Sequence, residues 1–329
     1  MQTLELLMEP RVGGDVYLYN PSTLSLATER LGAPATLTGE IPDTTGAPPQ
    51  MGSTVRLRVD GKLVFYGYLF SATLDRWGVL QFTAYDQLRY LKGNISWYQR
   101  GMTIEDLIGV IKKIYPVKFG RIDATGYKAR ERMIQNECAL DALQEMIDLA
   151  TVYTKKAWVL YDDCGEICLR NCADLVADLV IGENSLATEY SLATDIDSDT
   201  FNYIALHRPL SGGGVMGNKF AKDEQTEKQW GRLVYWEEVD ENMNSSRMQK
   251  KADNLLKLKN RPTRSLSISC LGVVGIRAGM MATIDFPSLP SISKKQQVIL
   301  DTVNHTFEQS THTMEITTRT FWDDSPSEE

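Results

Sequence analysis

Residues 51–59 read MGSTVRLRV and residues 278–286 read AGMMATIDF. Each is a glycine followed by a strand of alternating character, so that Val55, Leu57 and Val59 match Ala282, Ile284 and Phe286. Successive side chains of a strand point to opposite faces, and the two stretches therefore turn matching faces inward. A second pair follows in the same order: residues 79–85, VLQFTAY, correspond to residues 313–319, TMEITTR, with Leu80 and Phe82 against Met314 and Ile316. Between them each copy holds one long strand, residues 63–74 and 297–307. The offset grows only from 227 at the glycines to 234 at Leu80 and Met314, which extra loop residues absorb. The same strand order at nearly constant offset predicts two related β domains in one chain.

Working outward, Asp60-Gly61 between the runs at 54–59 and 62–71 is a hairpin signal, because a type I′ turn needs positive φ at both central residues. Near residue 100 the period changes from 2 to 3.6. Thr103 with Asp106 caps a helix striped by Ile104, Leu107, Ile108 and Ile111, and Leu140, Leu143, Met146, Ile147 and Ala150 write a second. Residues 157–161 and 166–170 flank a turn at Asp162-Asp163-Cys164-Gly165. Strands resume at 190–194 and 202–206, and a glycine-rich loop follows at 211–217. Ser246 with Gln249 reads as a capping box for an amphipathic helix over 246–259, striped by Met248, Ala252, Leu255 and Leu256 and ended by Pro262. The fold expected is mainly β with an α+β insert: a first β-barrel domain over 1–98, the insert over 99–185, a second barrel over 186–320 and a frayed tail over 321–329.

Composition bounds the function. A chain of 329 residues with 43% hydrophobic and 24% charged residues is an ordinary folded protein, too long for one typical domain. The 35 basic and 43 acidic residues leave a net charge of -8, which argues against a surface that tracks phosphates. The most apolar stretch, 266–286, carries Arg277 and Asp285, so no membrane span is expected. Glu5 and Glu9 stand where a secretory signal needs positive charge, and five cysteines are too sparse for a disulfide scaffold. Both fit a reducing cytoplasm as the place of synthesis.

Candidate chemistry fails on spacing. Cys164, Cys168 and Cys172 lack the fourth ligand of a zinc site. Asp195, Asp197 and Asp199 open like a calcium loop, but Thr200 replaces the glycine of the sixth position and Leu206 the glutamate of the twelfth. Gly212, Gly213, Gly214 and Gly217 precede Lys219, yet Asn218 intervenes and Phe220 follows, unlike a phosphate loop. His207, His305 and His312 have no nucleophile or HExxH partner, and His305 reads as a core residue between Val303 and Phe307. Seven basic residues between Arg247 and Arg264 face Asp253 alone and read as the wet side of a helix. No catalytic, cofactor-binding or metal-binding residue is therefore expected.

Six segments in order, AYDQLRYL (84–91), ALDALQEMIDLA, YDDCGEICLRN, WGRLVYWEEVDENMN with KADNLL, GIRAGMMATI and NHTFEQSTHTMEI, resemble the baseplate hub family of contractile-tailed phages, PBSX-like prophages and phage-tail-like bacteriocins. The resemblance spans nearly the whole chain. It implies a non-enzymatic structural hub, a homotrimer of two tube-protein-like barrels per chain that forms a pseudo-sixfold ring. Its implied neighbours are the central spike, the tail tube, the tape-measure protein and the baseplate wedge proteins, with no sequence-specific nucleic-acid binding. Such a protein is made in the bacterial host cytoplasm and built into the baseplate. The rivals are a cell-wall-binding protein, which needs clustered aromatics where Trp77, Trp97, Tyr98, Trp158, Trp230 and Trp236 are scattered, and a peptidoglycan hydrolase, which needs converging carboxylates.

Overall fold

The computed structural model describes residues 3–42, 49–209, 215–239, 243–289, 294–308 and 310–319. The chain forms two compact units, residues 1–191 with 267–329 and residues 192–266.

The larger unit opens with β1 (Leu4–Glu9), β2 (Tyr17–Tyr19), β3 (Thr23–Glu29), β4 (Thr36–Ile41), β5 (Thr54–Val59), β6 (Lys62–Leu74) and β7 (Leu80–Tyr85). Asp60 and Gly61 take φ of 50° and 78°, as a type I′ turn requires, and fold β5 back on β6. Alternation then buries Val55, Leu57, Val59, Phe65, Leu80 and Phe82 with Leu6, Leu24 and Leu37 in one core. The α+β insert follows as β8 (Asn94–Met102), α1 (Ile104–Ile114), β9 (Phe119–Ile122), β10 (Ala129–Cys138), α2 (Ala139–Thr154), β11 (Trp158–Asp162) and β12 (Ile167–Asn171). Thr103 and Asp106 make the reciprocal capping box of α1, and both predicted helix stripes are buried in a shared core. In the β11–β12 turn Cys164 and Gly165 supply the positive φ.

Next come β13 (Val176–Gly182) and β14 (Ala187–Asp195). The smaller unit holds β15 (Tyr203–Pro209), β16 (Val215–Lys222), α3 (Glu224–Trp230), β17 (Val234–Glu238) and α4 (Ser245–Lys259). The second barrel expected over 186–320 is thus interrupted: residues 192–266 bury a core of their own, Ile204, Leu206, Ala221, Met248 and Ala252, under a three-stranded sheet ordered β16-β15-β17. The capping box expected at Ser246 is corrected as well. Asn244 is the N-cap, its Oδ1 accepting from Arg247 N at 2.9 Å, while Gln249 donates to Phe220 O and Asp253. A side chain on the residue just before the helix reaches the free N–H groups better than one already inside it.

The chain closes with β18 (Thr263–Leu271), β19 (Met281–Asp285), β20 (Gln296–Glu308) and β21 (His312–Arg319). The internal repeat is present down to single hydrogen bonds. β5-β6-β7 and β19-β20-β21 are antiparallel meanders around a 13-residue central strand. Gly52 (φ +79°) donates to Leu69 O at 2.8 Å and Leu69 N donates back to Ser53 O at 2.9 Å; Gly279 (φ +85°) donates to Leu300 O at 2.8 Å and Leu300 N back to Met280 O at 2.9 Å. After each leucine the central strand bulges, between Leu69 and Ser71 and between Leu300 and Thr302. Bulges re-aim a strand at a defined place, and two unrelated meanders have no reason to share one at the same residue.

The expectation of two separate closed barrels is corrected. β3 of the first half pairs antiparallel with β20 of the second, from Thr23↔Glu308 to Glu29↔Thr302, and one 13-stranded sheet runs β14-β18-β21-β20-β3-β4-β7-β6-β5-β1-β2, with β19 and β13 branching from β20. The join is sealed by Arg30 Nε and Asp301 Oδ1 at 2.8 Å, at 6% and 14% side-chain exposure, and by Arg30 N donating to Asp301 O. Strand alternation specifies which face is buried but not which edge a strand chooses, so the join was invisible in the sequence.

Candidate functional site

The sheet has one apolar face and one covered with hydroxyls. In the first half Thr23, Ser25, Thr38, Ser71, Thr73 and Thr83 share a shallow groove with Glu40 and Gln81. Gln81 Nε2 donates to Glu40 Oε1 at 3.1 Å. Transferring the repeat puts Thr302, Asn304, Glu315, Thr317 and Ser267 at the places of Ser71, Thr73, Gln81, Thr83 and Thr38, and Thr302 and Thr317 share a hydroxyl hydrogen bond of 2.6 Å. Both halves therefore present the same neutral to acidic polar surface. No lysine or arginine stands at these positions.

Among the strand edges open in the described residues are those of β6 and β14. β6 pairs with β5 as far as Tyr68 and Leu69 still bonds Gly52 and Ser53, so on that side residues 70–74 meet no strand. Asp75 N donates to Val79 O at 3.0 Å, which turns the odd-numbered residues toward β7 and leaves the N–H and C=O of Ala72 and Leu74 pointing to the open edge. β14 ends the sheet. Leu271 N donates to Leu186 O at 3.0 Å, so its even-numbered residues face β18 and Glu189 and Ser191 face outward. Beside the β6 edge, Leu74 and Trp77 are exposed at 40% and 71%.

A cavity of about 240 Å³ lies within the larger unit, lined by Asp86, Asp162, Tyr161, Cys164, Arg277 and His305 among others. It brings together two carboxylates that the sequence does not link, Asp86 and Asp162. Asp86 Oδ2 accepts from Ala35 N and Oδ1 from Leu88 N, both at 2.9 Å, and Asp162 accepts from Gly165 N and Gln87 Nε2. Burial, reinforced by the Asp162 charge, pushes the Asp86 carboxyl well up, and burial also raises Asp162. Burial lowers Arg277, whose guanidinium lies over the Tyr161 ring. Asp86 ties the turn at residues 86–92 to Ala35, and Asp162 ties the β11–β12 hairpin to the same turn through Gln87, whose Oε1 also accepts from Lys118 N at 3.1 Å. Neither acid carried a local signal, since residues 76 apart meet only through the fold.

The YQBQ-like family model matches residues 24–319, almost the whole chain. The chain belongs to the YQBQ-like family. It is 28% identical over 301 residues to the phage-like element PBSX protein XkdQ of Bacillus subtilis, covering 89% of this chain and 90% of that one. Its fold matches the 43 kDa tail protein of prophage MuSo2 from Shewanella oneidensis, with a TM-score of 0.71 at 10% identity over 96% of this chain and 98% of that one. It also matches the E. coli c3393 protein, a type VI secretion component with structural similarity to T4 tail proteins gp27 and gp5, with a TM-score of 0.58 at 9% identity over 97% and 77% of the two chains.

In this YQBQ-like chain the sequence candidates occupy structural places. Cys168 lies buried on β12, Cys172 in a small core with Val159 and Ile299, and the Cys164 thiol donates to Leu63 O. Burial pushes the Cys164 and Cys172 thiols up to about 11. Asp195 accepts from Asp197 N and Ser198 N in a tight turn, and Asp199 pairs with Lys259. His207 stacks on Trp236 and faces Glu238 at 3.3 Å. His305 is buried, with Nε2 2.7 Å from Ile276 O and Nδ1 2.9 Å from His312 Nε2. Of the basic run, Lys251 bonds Glu237 and Lys259 bonds Asp199, so part of it works inside the smaller unit. Most of the glycine-rich loop and the tail lie outside the described residues; Gly217, in β16, has φ +75°.

Proposed function

We propose that the chain is the structural hub of a contractile phage tail or tail-like particle: a homotrimeric adapter between a sixfold tail tube and a threefold central spike. The observation that carries this is the repeat. Two copies of one meander, each with its glycine bridge and its bulge, stand side by side in one sheet. An interface is satisfied everywhere only when symmetries match. Three such chains offer six like surfaces to a tube and remain threefold toward a spike. The family membership, the PBSX relative and the tail-protein fold support the setting.

The hydroxyl face is the channel wall in this reading. A neutral to acidic lining repels nucleic acid weakly and offers a passing tape-measure protein no cation to hold it. The role is architectural and involves no catalysis; Asp86 and Asp162, the carboxylates that do converge, are consumed by backbone hydrogen bonds. The virion or tail-like particle is then its place of work, with spike, tube, tape-measure and wedge proteins as neighbours.

The test is mass by light scattering, followed by cryo-electron microscopy of the isolated ring. A trimer whose six meanders alternate about one axis is expected. A particle that stays monomeric at high concentration, or a trimer with the hydroxyl faces turned outward, overturns the reading.

A further inference from the structure

We infer that the outer face of the first meander, around Tyr68, Phe70, Tyr85 and Tyr90, is a docking site for another protein, which lays an acidic segment across Arg11 and Arg89. This rests on the hub reading above and adds the surface that holds a neighbour other than a second copy.

The repeat singles out this face. Thr54, Tyr68 and Tyr85 form one rung across β5, β6 and β7, and Met281, Ile299 and Arg319 form the same rung across β19, β20 and β21. In the second half the insert seats on that rung: Ile299, 5% exposed, is buried with Ala157, Val159 and Cys172, and Met281 packs against the same cluster. A Cβ added to Gly279 would strike Val159, whereas one added to its counterpart Gly52 would meet open space. The rung of the first half has no such roof among the described residues. Tyr68 is left half-buried, beneath the Arg11 guanidinium and beside the Tyr90 ring.

The chemistry of the open face says what would cover it. Tyr68, Phe70, Tyr85 and Tyr90 are all half-buried and linked ring to ring, with centroids 5.3 to 5.6 Å apart. Two arginines lie on them. Arg11 sits 4.0 Å above the Tyr68 ring centre with Nη2 donating to the Tyr90 hydroxyl at 3.1 Å, and Arg89 lies 5.2 Å from the Phe70 ring centre. The adjacent Arg56, over Tyr66, is neutralised by Glu9 at 2.7 Å, but neither Arg11 nor Arg89 meets a carboxylate among the described residues. At the place of Phe70 the second half holds Asp301, which Arg30 neutralises; there acid and arginine both come from the chain, and here only the arginines do. A guanidinium lying flat on a ring keeps its N–H edge free, and that edge grips a carboxylate with two parallel hydrogen bonds. Tyrosine and arginine are also among the residues most enriched where protein interfaces concentrate their energy. Two cations on a chain of net charge -8 are too few to track a run of phosphates, which favours an acidic polypeptide over nucleic acid.

The test uses the full chain with fluorescein-labelled deca-glutamate, and deca-glutamine as the control. Fluorescence anisotropy is expected to show deca-glutamate binding that weakens as salt rises, and no binding of deca-glutamine. Arg11→Gln with Arg89→Gln, its circular dichroism matching wild type, is expected to weaken that binding by about tenfold or more, while Lys250→Gln with Lys257→Gln on α4 changes it by less than about twofold. Deca-glutamate that fails to bind, or that binds the arginine variant equally well, overturns the proposal; so does tighter binding of deca-thymidylate, which would make nucleic acid the occupant. In the assembled particle phenylglyoxal, which labels accessible arginines, is expected to spare Arg11 and Arg89 while labelling both in the isolated ring. Protection already present in the isolated ring assigns the face to a second copy and overturns the partner. Equal labelling in ring and particle overturns the docking and leaves the hub reading standing. A chain that stays monomeric at every concentration overturns the hub reading and the docking with it.

Discussion

Replacing Asp301 by alanine removes one member of the ion pair that seals the two halves. At 2.8 Å and an effective dielectric of about 20, the attraction between Arg30 and Asp301 is about 6 kcal/mol. Taking each charge out of water costs several kcal/mol, so the intact pair is close to balance. Asp301→Ala leaves the attraction gone and the Arg30 guanidinium, at 6% exposure, still away from solvent. The expected loss is about 3–5 kcal/mol, the usual result of removing one partner of a buried ion pair. Arg30→Met with Asp301→Leu removes both charges and keeps the volume, and its loss is expected to be smaller than that of Asp301→Ala alone. Urea unfolding followed by tryptophan fluorescence and far-ultraviolet circular dichroism reads the difference, with a second probe to show whether the two units unfold together. A loss below about 1 kcal/mol for Asp301→Ala would mean that the pair is wet, as surface pairs are, and the description of the join as a desolvated seam would be refuted.

Gly279→Ala is expected to cost more than Gly52→Ala: both residues sit at positive φ, about 1–2 kcal/mol for a side chain, but a Cβ at 279 also meets Val159, whereas at 52 it meets open space; equal losses in urea midpoints would contradict this. Because burial raises the folded-state pKa of Asp86, its contribution to stability is full at low pH and is lost as pH rises through that raised value, so the urea midpoint of Asp86→Asn relative to wild type is expected to climb with pH; parallel curves would count against it. Burial and the neighbouring His305 push His312 down to about 4, so its contribution is full above about pH 6.5 and is lost as pH falls toward 4, a slope of about 1–2 kcal/mol after solvent screening that His312→Gln is expected to remove. Thr38→Lys, on the hydroxyl face, is expected to leave the unfolding midpoint nearly unchanged while adding salt-sensitive DNA retention to the assembled ring; retention that does not respond to salt would rule out the channel assignment.

Local chemistry alone specified a great deal of this protein. Asp60-Gly61 demanded a tight hairpin, Thr103 and Asp106 a helix start, and the alternation in residues 54–59 and 313–319 identified the faces that bury Leu57, Met314 and Ile316. The repeat was legible for the same reason: a glycine at positive φ followed by a strand leaves a mark in the sequence wherever it occurs. What the tertiary structure decided is everything that depends on edges and distance. Alternation has a period of two and says which face is inside, but a strand's two edges carry the same backbone groups, so nothing in residues 23–29 announced that they would pair with residues 302–308. Likewise the meeting of Asp86 with Asp162, the folding of residues 192–266 as a unit of their own, and the open flanks of β6 and β14 follow from how ladders end, which side chains do not encode.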